Sequence, residues 1–453
     1  MTQTSNTTER PGHKLGLFAV IALVMGNMIG SGVFLLPASL APFGWNAVLG
    51  WIVTTAGTLV LAWVLAALTR ARPGARDPAG FVTEAFGELP AFLVGWVYWV
   101  SVWTAVVSIA VAAVSYLSSF IPAISTIPMG PALCAIALVW AMTLLNLRGV
   151  RAAGNFQIVT VVLKLIPLVA VIVIAALVLG TGKGDIRPLV MAELNGTDLR
   201  GAAALTLFAL LGFECASIAA ARVENPAVNV PRATMWGTGL TGVLYLLVCS
   251  AIALMLPEAV AATSPAPFST FVERYWSAGP AALVTVFAIV SCVGAINGWV
   301  LLQGELPRAM AERGMLPHWF AATDSHGTPR RALLVSSVIA TLCLLFNASK
   351  SMQGIYEFVL LLSTSAALWL YLACALAAWK MKVARGFALV GAGYALWTLW
   401  GAGIEASGWS LVLMAAGIPL YLWARRGAAV SLLPPEEQAR RATARPEPRP
   451  PRH

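Results

Sequence analysis

Gly26-Asn27-Met28-Ile29-Gly30-Ser31-Gly32-Val33-Phe34 lies inside an apolar segment long enough to cross a bilayer. Three glycines and an asparagine are poor material for an unbroken span, because each Gly weakens a helix interior by roughly 1 kcal/mol. In hydrocarbon, an interrupted helix is tolerated only where protein or a water-filled cavity covers the freed backbone groups. Close packing through small residues is the alternative reading. The clustering of Gly30, Ser31 and Gly32 favours true unwinding. A half-helix starting there would aim free N–H groups and its positive dipole end at an anion, which suits a carboxylate. The stretch therefore points to a substrate site in a transporter.

The rest of the chain supplies the membrane context. Of 453 residues, 59% are hydrophobic and only 11% charged, with a mean hydropathy of +0.81; a soluble protein carries about 25% charged residues. Twelve apolar segments are expected, at 16–37, 43–68, 90–118, 131–147, 154–180, 201–221, 233–257, 280–303, 332–348, 356–379, 385–403 and 408–424. With both termini in the cytoplasm, the outer segments hold only Lys183, Arg187, Arg200, Arg274 and Lys350 as basic residues. Every other Lys and Arg except Lys164, which lies within the fifth segment, falls in an inner segment or the C-terminal tail. That bias is the positive-inside pattern expected of twelve spans with both ends inside. The net charge of +10 does not indicate nucleic acid, since its basic residues form no stripe that follows phosphates. Residues 1–15 read as a cytoplasmic N-terminus without a cleavable signal. Residues 425–453 read as a cytoplasmic tail, disordered from Pro434 onward. Six cysteines without a CxxC pair give no disulfide framework, metal site or cofactor.

A second interruption falls in the sixth segment, where Leu205-Thr-Leu-Phe-Ala-Leu-Leu-Gly-Phe-Glu214 places Gly212 and a carboxylate among apolar residues. An intramembrane acid is costly and marks function or a buried pair. Glu214 then needs hydrogen-bond donors or a cation if ionised, and can donate one bond if protonated. Segments one and six are five apart, which suits two inverted five-helix repeats at 16–180 and 201–379, followed by two further spans at 385–424. Paired broken helices at corresponding positions point to a midplane site. Lys164, in Val161-Val-Leu-Lys-Leu-Ile-Pro167, either snorkels to the interface or places an amine near unwound carbonyls. There it would stand in for a bound cation or carry a coupling proton.

The ordered set of Gly26–Pro37, Gly212-Phe-Glu214, Glu224-Asn-Pro226, Asn229-Val-Pro231, Gly298-Trp299 and Gly314-Met-Leu-Pro317 resembles the amino acid–polyamine–organocation (APC) transporter superfamily. Within it the chain looks nearest the bacterial basic amino acid/polyamine antiporters, particularly those exchanging arginine and agmatine. The resemblance implies an all-α integral membrane protein of the LeuT-like fold, often a homodimer. It implies that the substrate carboxylate meets N–H groups around Ser31 and Gly32. The ammonium would meet carbonyls near Met28, Ile29, Phe208 and Leu211. Phe208 stands where the family's gating tryptophan stands, keeping a flat lid without the indole N–H. Trp299 matches a tryptophan lining the substrate, against the alternative of one interfacial anchor among 17 tryptophans. Ser101 falls in the pocket region, Val106 replaces a polar asparagine, and Ser363 and Tyr371 match polar positions. The outer gate tyrosine aligns with Ala79, in Asp77-Pro78-Ala79-Gly80. Gly30, Glu214 and Lys164 are the expected gating and coupling residues. Lys164 is foreign to the arginine/agmatine pattern but resembles a span-five lysine of other superfamily permeases.

These residues predict secondary transport of an amino acid or amine by alternating access, with exchange as the leading mode. Basic amino acid/polyamine antiport and proton-coupled symport of neutral amino acids are the alternatives. A membrane-embedded enzyme is disfavoured, because His13, His318, His326 and His453 lie outside the apolar segments and no nucleophile sits beside a base. A channel is disfavoured because no repeated carbonyl-filter motif is present.

Overall fold

The computed structural model describes residues 15–72, 74–75, 77–148, 150–218, 223–324 and 327–431. Most of the expected N-terminal segment, the tail from 432 onward and the Ser31 side chain lie outside what is described. Among the described residues the regular structure is helical, apart from one bridge between Leu15 and Val223.

The principal helices are α1 (Leu17–Met28), α2 (Ser31–Leu40), α3 (Trp45–Ala71), α4 (Pro78–Phe86), α5 (Glu88–Ser118), α6 (Gly130–Leu147), α7 (Val150–Gly180), α8 (Gly196–Leu210) and α9 (Cys215–Ile218). They continue as α10 (Pro226–Met255), α11 (Pro267–Tyr275), α12 (Ala278–Glu312), α13 (Arg330–Phe346), α14 (Met352–Lys380), α15 (Arg385–Gly401), α16 (Gly403–Ala416) and α17 (Ile418–Ser431). Local chemistry sets several boundaries. Asp77 accepts the Gly80 N–H at 2.8 Å to open α4, and Asn195 accepts those of Thr197 and Asp198 to open α8. Ser351 does the same for Gly354 at the start of α14; each cap satisfies N–H groups that the first helical turn leaves unpaired.

Nine helices among the described residues are long and apolar enough to cross a membrane, and the bent pair Leu17–Met28 with Gly32–Phe43 makes a tenth. The other two expected segments correspond to α13 and α15, helices of 17 residues each. The last helix runs to Ser431, so the chain stays helical six residues past the expected start of the tail.

The most apolar stretch of α5 is wholly covered by protein, and those of α8 and α14 nearly so, whereas the stretch from Gly403 to Arg425 is largely exposed. α5, α8 and α14 thus form the centre of the bundle, with α16 and α17 at its edge. Polar side chains join the central helices. Thr206 donates to Thr54, which donates to the Ala203 carbonyl, and Trp99 Nε1 donates to the Gln303 carbonyl at 3.0 Å. Away from water such bonds hold helices together where apolar burial offers no preference for protein over lipid.

Charged residues gather at the two ends of the bundle. Lys183, Arg187 and Arg274 surround one cavity beyond the C-terminal end of α7. At the opposite end of α5, Glu88 pairs with Arg425, Asp77 with Arg313 and Glu84 with Arg72. Lys183, Arg187 and Arg274 thus lie apart from Arg72, Arg313 and Arg425, the grouping that the charge pattern expects.

Candidate functional site

α1 ends at Met28. The Ile29 N–H still donates to the Met25 carbonyl at 2.8 Å, but Ile29 itself is extended (φ −73°, ψ 90°) and α2 begins afresh at Ser31. The second interruption follows α8. Leu211 is extended (φ −63°, ψ 146°), and Gly212 has φ +102°, a left-handed conformation that favours residues without a Cβ. A Cβ at Gly32 would lie 2.8 Å from the Ala209 Cα, so only glycine lets the first turn of α2 touch the last turn of α8. The positive end of one half-helix thereby meets the negative end of another. That pairing of dipole ends can receive a carboxylate and an ammonium at neighbouring points.

The residues singled out from the sequence divide into three groups. Met28, Ile29, Gly30, Gly32, Phe208 and Leu211 belong to the two breaks and are buried. Their carbonyls are not equally free: Met28 O accepts from Tyr245 Oη at 2.9 Å, and Phe208 O from the Leu211 N–H at 3.2 Å. Trp299, 7% exposed, lies on α12 one turn beyond Ala295, whose Cβ would be 3.1 Å from a Cβ at Gly30.

Ser101 and Ser363 form the second group. Ser363 Oγ donates to the Ser101 carbonyl at 2.7 Å, and the hydroxyl oxygens are 3.2 Å apart, a fully buried link between α5 and α14. Their hydroxyls serve that link, while Val106 adds an apolar side chain with no exposure.

Glu214 organises the third group. Oε1 accepts from Tyr98 Oη, while Oε2 accepts from Tyr371 Oη at 2.9 Å and from the Gly212 N–H at 3.2 Å. Tyr371, expected at the substrate, is thus placed on Glu214, with its ring 4.9 Å from that of Phe213. Donors from α5, α14 and the break itself satisfy one buried carboxylate, as its desolvation demands. Lys164 is fully buried, and its Nζ donates to the Gly26 carbonyl at 2.9 Å in the last turn of α1. It does not snorkel.

A cavity of about 180 Å³ approaches this centre from the end that carries Arg313. Asp77, Glu305 and Arg313 stand at its polar side, Gly95 and Met310 line it, and Tyr98 is among its walls. Arg313 grips Asp77 with two hydrogen bonds of 3.0 and 2.6 Å. Ala79 borders the same cavity, so the position aligned with an outer gate lies at the end assigned inward.

Tyr98, Tyr245 and the Asp77–Arg313 pair escaped the sequence reading. A signal existed for Tyr98, because a membrane-buried acid requires donors and the chain has only eight tyrosines. Among the described residues, no cluster of three or more His, Cys, Asp or Glu side chains could hold a metal ion.

Comparison with known proteins agrees with this architecture. The profile of a family described as amino acid permease matches residues 15–434. A cadaverine/lysine antiporter of Escherichia coli K12 is 33% identical over 345 residues, covering 75% of this chain and 77% of the relative. The putrescine transporter PotE of the same organism is 28% identical over 431 residues, covering 91% and 97% respectively. PotE of Haemophilus influenzae is 28% identical over 426 residues, covering 90% and 96%.

Proposed function

The chain belongs to the amino acid permease family, and from that premise we propose that it is an antiporter for basic amino acids and diamines working by alternating access. It is a multi-pass membrane transporter of the APC superfamily and not an enzyme. The observation that carries the proposal is the contact of Gly32 with Ala209, which sets an N-terminal and a C-terminal helix end side by side in the buried centre. The names of the relatives, a cadaverine/lysine antiporter and putrescine transporters, favour cationic substrates over neutral ones. The sequence expectation that left the side-chain preference open is narrowed accordingly.

In this reading the backbone N–H groups of Ser31 and Gly32 receive an α-carboxylate. Carbonyls of the α1 and α8 ends receive an ammonium, and Phe208 and Trp299 flank the substrate's side chain. Aromatic faces attract a cation without requiring another buried carboxylate. Lys164 supplies fixed positive charge behind the unwound segment. Passage toward the Asp77–Arg313 cavity requires Tyr98 and Glu214 to separate, which makes the bond between α5 and the second break a gate. Arginine/agmatine exchange is one specificity within this class. The proposal also includes twelve spans in five-plus-five repeats, both termini in the cytoplasm of a bacterial inner membrane, and a homodimer.

Proteoliposomes loaded with unlabelled lysine, arginine, cadaverine, putrescine, agmatine or leucine, and given labelled lysine outside, test the proposal. Uptake is expected to rise with basic amino acid or diamine inside and to stay at the background of empty vesicles with leucine. Stimulation by leucine alone would replace the basic-substrate reading with a neutral one. Uptake driven only by a pH gradient would replace exchange with symport.

A further inference from the structure

Leu165, Val169, Val173 and Leu177 recur every fourth residue on α7 and form one exposed stripe. With Tyr275 and Trp276 from the end of α11, they line an open apolar groove of about 730 Å³. From Leu165 to Leu177 the helix rises roughly 18 Å, against about 15 Å for the hydrocarbon of one leaflet. The groove is therefore the length of an acyl chain.

Its upper end is not apolar. Tyr275 lines both the groove and the neighbouring polar cavity of about 440 Å³, and its hydroxyl donates to the Met255 carbonyl at 2.7 Å. The C-terminal turn of α7 fixes the cavity's edge: the Lys183 N–H donates to the Val178 carbonyl at 3.0 Å, and Gly182 turns with φ +65°. Arg187 in this cavity is already engaged by Glu193 and Glu258 at 3.1 and 3.0 Å. Among the described residues, Lys183 and Arg274 face it without a carboxylate partner, and Asp185 without a cation. Two basic side chains and one acidic one are thus left without an opposite partner, and because Arg187 stands against two carboxylates the surroundings as a whole are balanced in charge, as a zwitterionic headgroup requires.

We propose that the groove and cavity form one binding site for a phospholipid with an aminoethyl phosphate headgroup, namely phosphatidylethanolamine. An acyl chain lies along α7 between Leu165 and Leu177. The phosphate meets Lys183 and Arg274, and the primary ammonium meets Asp185. Tyr275 and Trp276 sit at the glycerol level, the depth where amphipathic rings are favoured. The apolar groove alone would accept any chain or a second protein; its continuity with this charge set selects the lipid.

Native mass spectrometry of the full chain in detergent, titrated with phosphatidylethanolamine, phosphatidylglycerol or phosphatidylcholine of identical acyl chains, tests the assignment. Phosphatidylethanolamine is expected to be retained best, because the choline group offers no N–H to Asp185 and glycerol offers no charge. Lys183→Gln and Arg274→Gln are each expected to weaken both phosphatidylethanolamine and phosphatidylglycerol about fivefold, the factor for ~1 kcal/mol per basic side chain near a lipid phosphate. Asp185→Asn should weaken phosphatidylethanolamine alone, and Val173→Trp, which fills the groove, should weaken all three. Equal retention of phosphatidylcholine, or no change in the Lys183→Gln/Arg274→Gln double variant, overturns the proposal. So does conversion of dimer to monomer by Val173→Trp with lipid retention intact, which would make the groove a contact between two copies.

Discussion

Gly32 and Ala209 approach so closely that a methyl group on the first would fall 2.8 Å from the Cα of the second. They are 177 positions apart in sequence, yet they bring the two interrupted spans into one site. The neighbouring atom is main chain, so no rotamer change can relieve a clash.

Gly32→Ala is accordingly expected to lower thermal stability in detergent by roughly 1–3 kcal/mol, the usual cost of overpacking, and to depress exchange. An Ala209→Gly companion should restore only part of the loss, because the Ala209 Cα remains in place. Full restoration would show that the two helices can slide apart freely.

Tyr98→Phe and Tyr371→Phe each remove one donor from the buried Glu214 carboxylate. Each is expected to destabilise the protein by roughly 1–3 kcal/mol, the cost of leaving a buried polar group short of a partner. A double-mutant cycle should show coupling, since both phenols act on one carboxylate. Exchange kinetics provide the functional readout: a gate loosened by Tyr98→Phe changes turnover, while KM for lysine moves less. Strict additivity in unfolding and unaltered turnover would remove the gate.

Lys164→Met keeps an unbranched side chain, one atom shorter, but leaves the Gly26 carbonyl without its 2.9 Å donor. An unsatisfied buried acceptor costs roughly 1–3 kcal/mol. Loss of positive charge beside the first break is expected to lower exchange several-fold. Retained exchange together with a lowered melting temperature would make the lysine a purely structural support.

The Asp77–Arg313 pair is partly exposed, so breaking it should alter stability by only about 0–1 kcal/mol. Its place at the mouth of the cavity predicts a kinetic effect instead. Arg313→Gln should change the rate of substrate entry from that side in sided vesicles, and the exchanged pair Asp77→Arg/Arg313→Asp should recover toward wild type. Equal behaviour of all variants would leave the pair without a part in gating.

Phe208→Ala is expected to reduce exchange strongly with little loss of folded protein, because the ring is one face of the proposed substrate enclosure. Assaying uptake of every basic amino acid and diamine checks this; unchanged uptake of all of them would sink the role.

Local sequence carried much of the fold. Runs such as Glu88–Ser118 are membrane helices because their composition makes them so at any position in the chain, and Gly30 and Gly212 mark breaks because glycine weakens a helix wherever it stands. The charge bias separated Lys183, Arg187 and Arg274 from Arg313 and Arg425 before any packing was known. A family pattern carries less where the local residues differ, as at Ala79, which the structure places beside Asp77 and Arg313 on one cavity.

The sequence by itself determined a membrane transporter with two interrupted spans, a buried acid and a buried amine, since hydropathy and helix propensity are properties of neighbouring residues. Tertiary structure alone decided how those groups are satisfied. Glu214 takes Tyr98 from 116 positions away and Tyr371 from 157, and Lys164 takes the Gly26 carbonyl from 138. Any hydroxyl in the membrane would have met the same chemical need. Which one does so is fixed by the packing of α5, α8 and α14, where a buried polar group must find its partner within about 3 Å or remain costly.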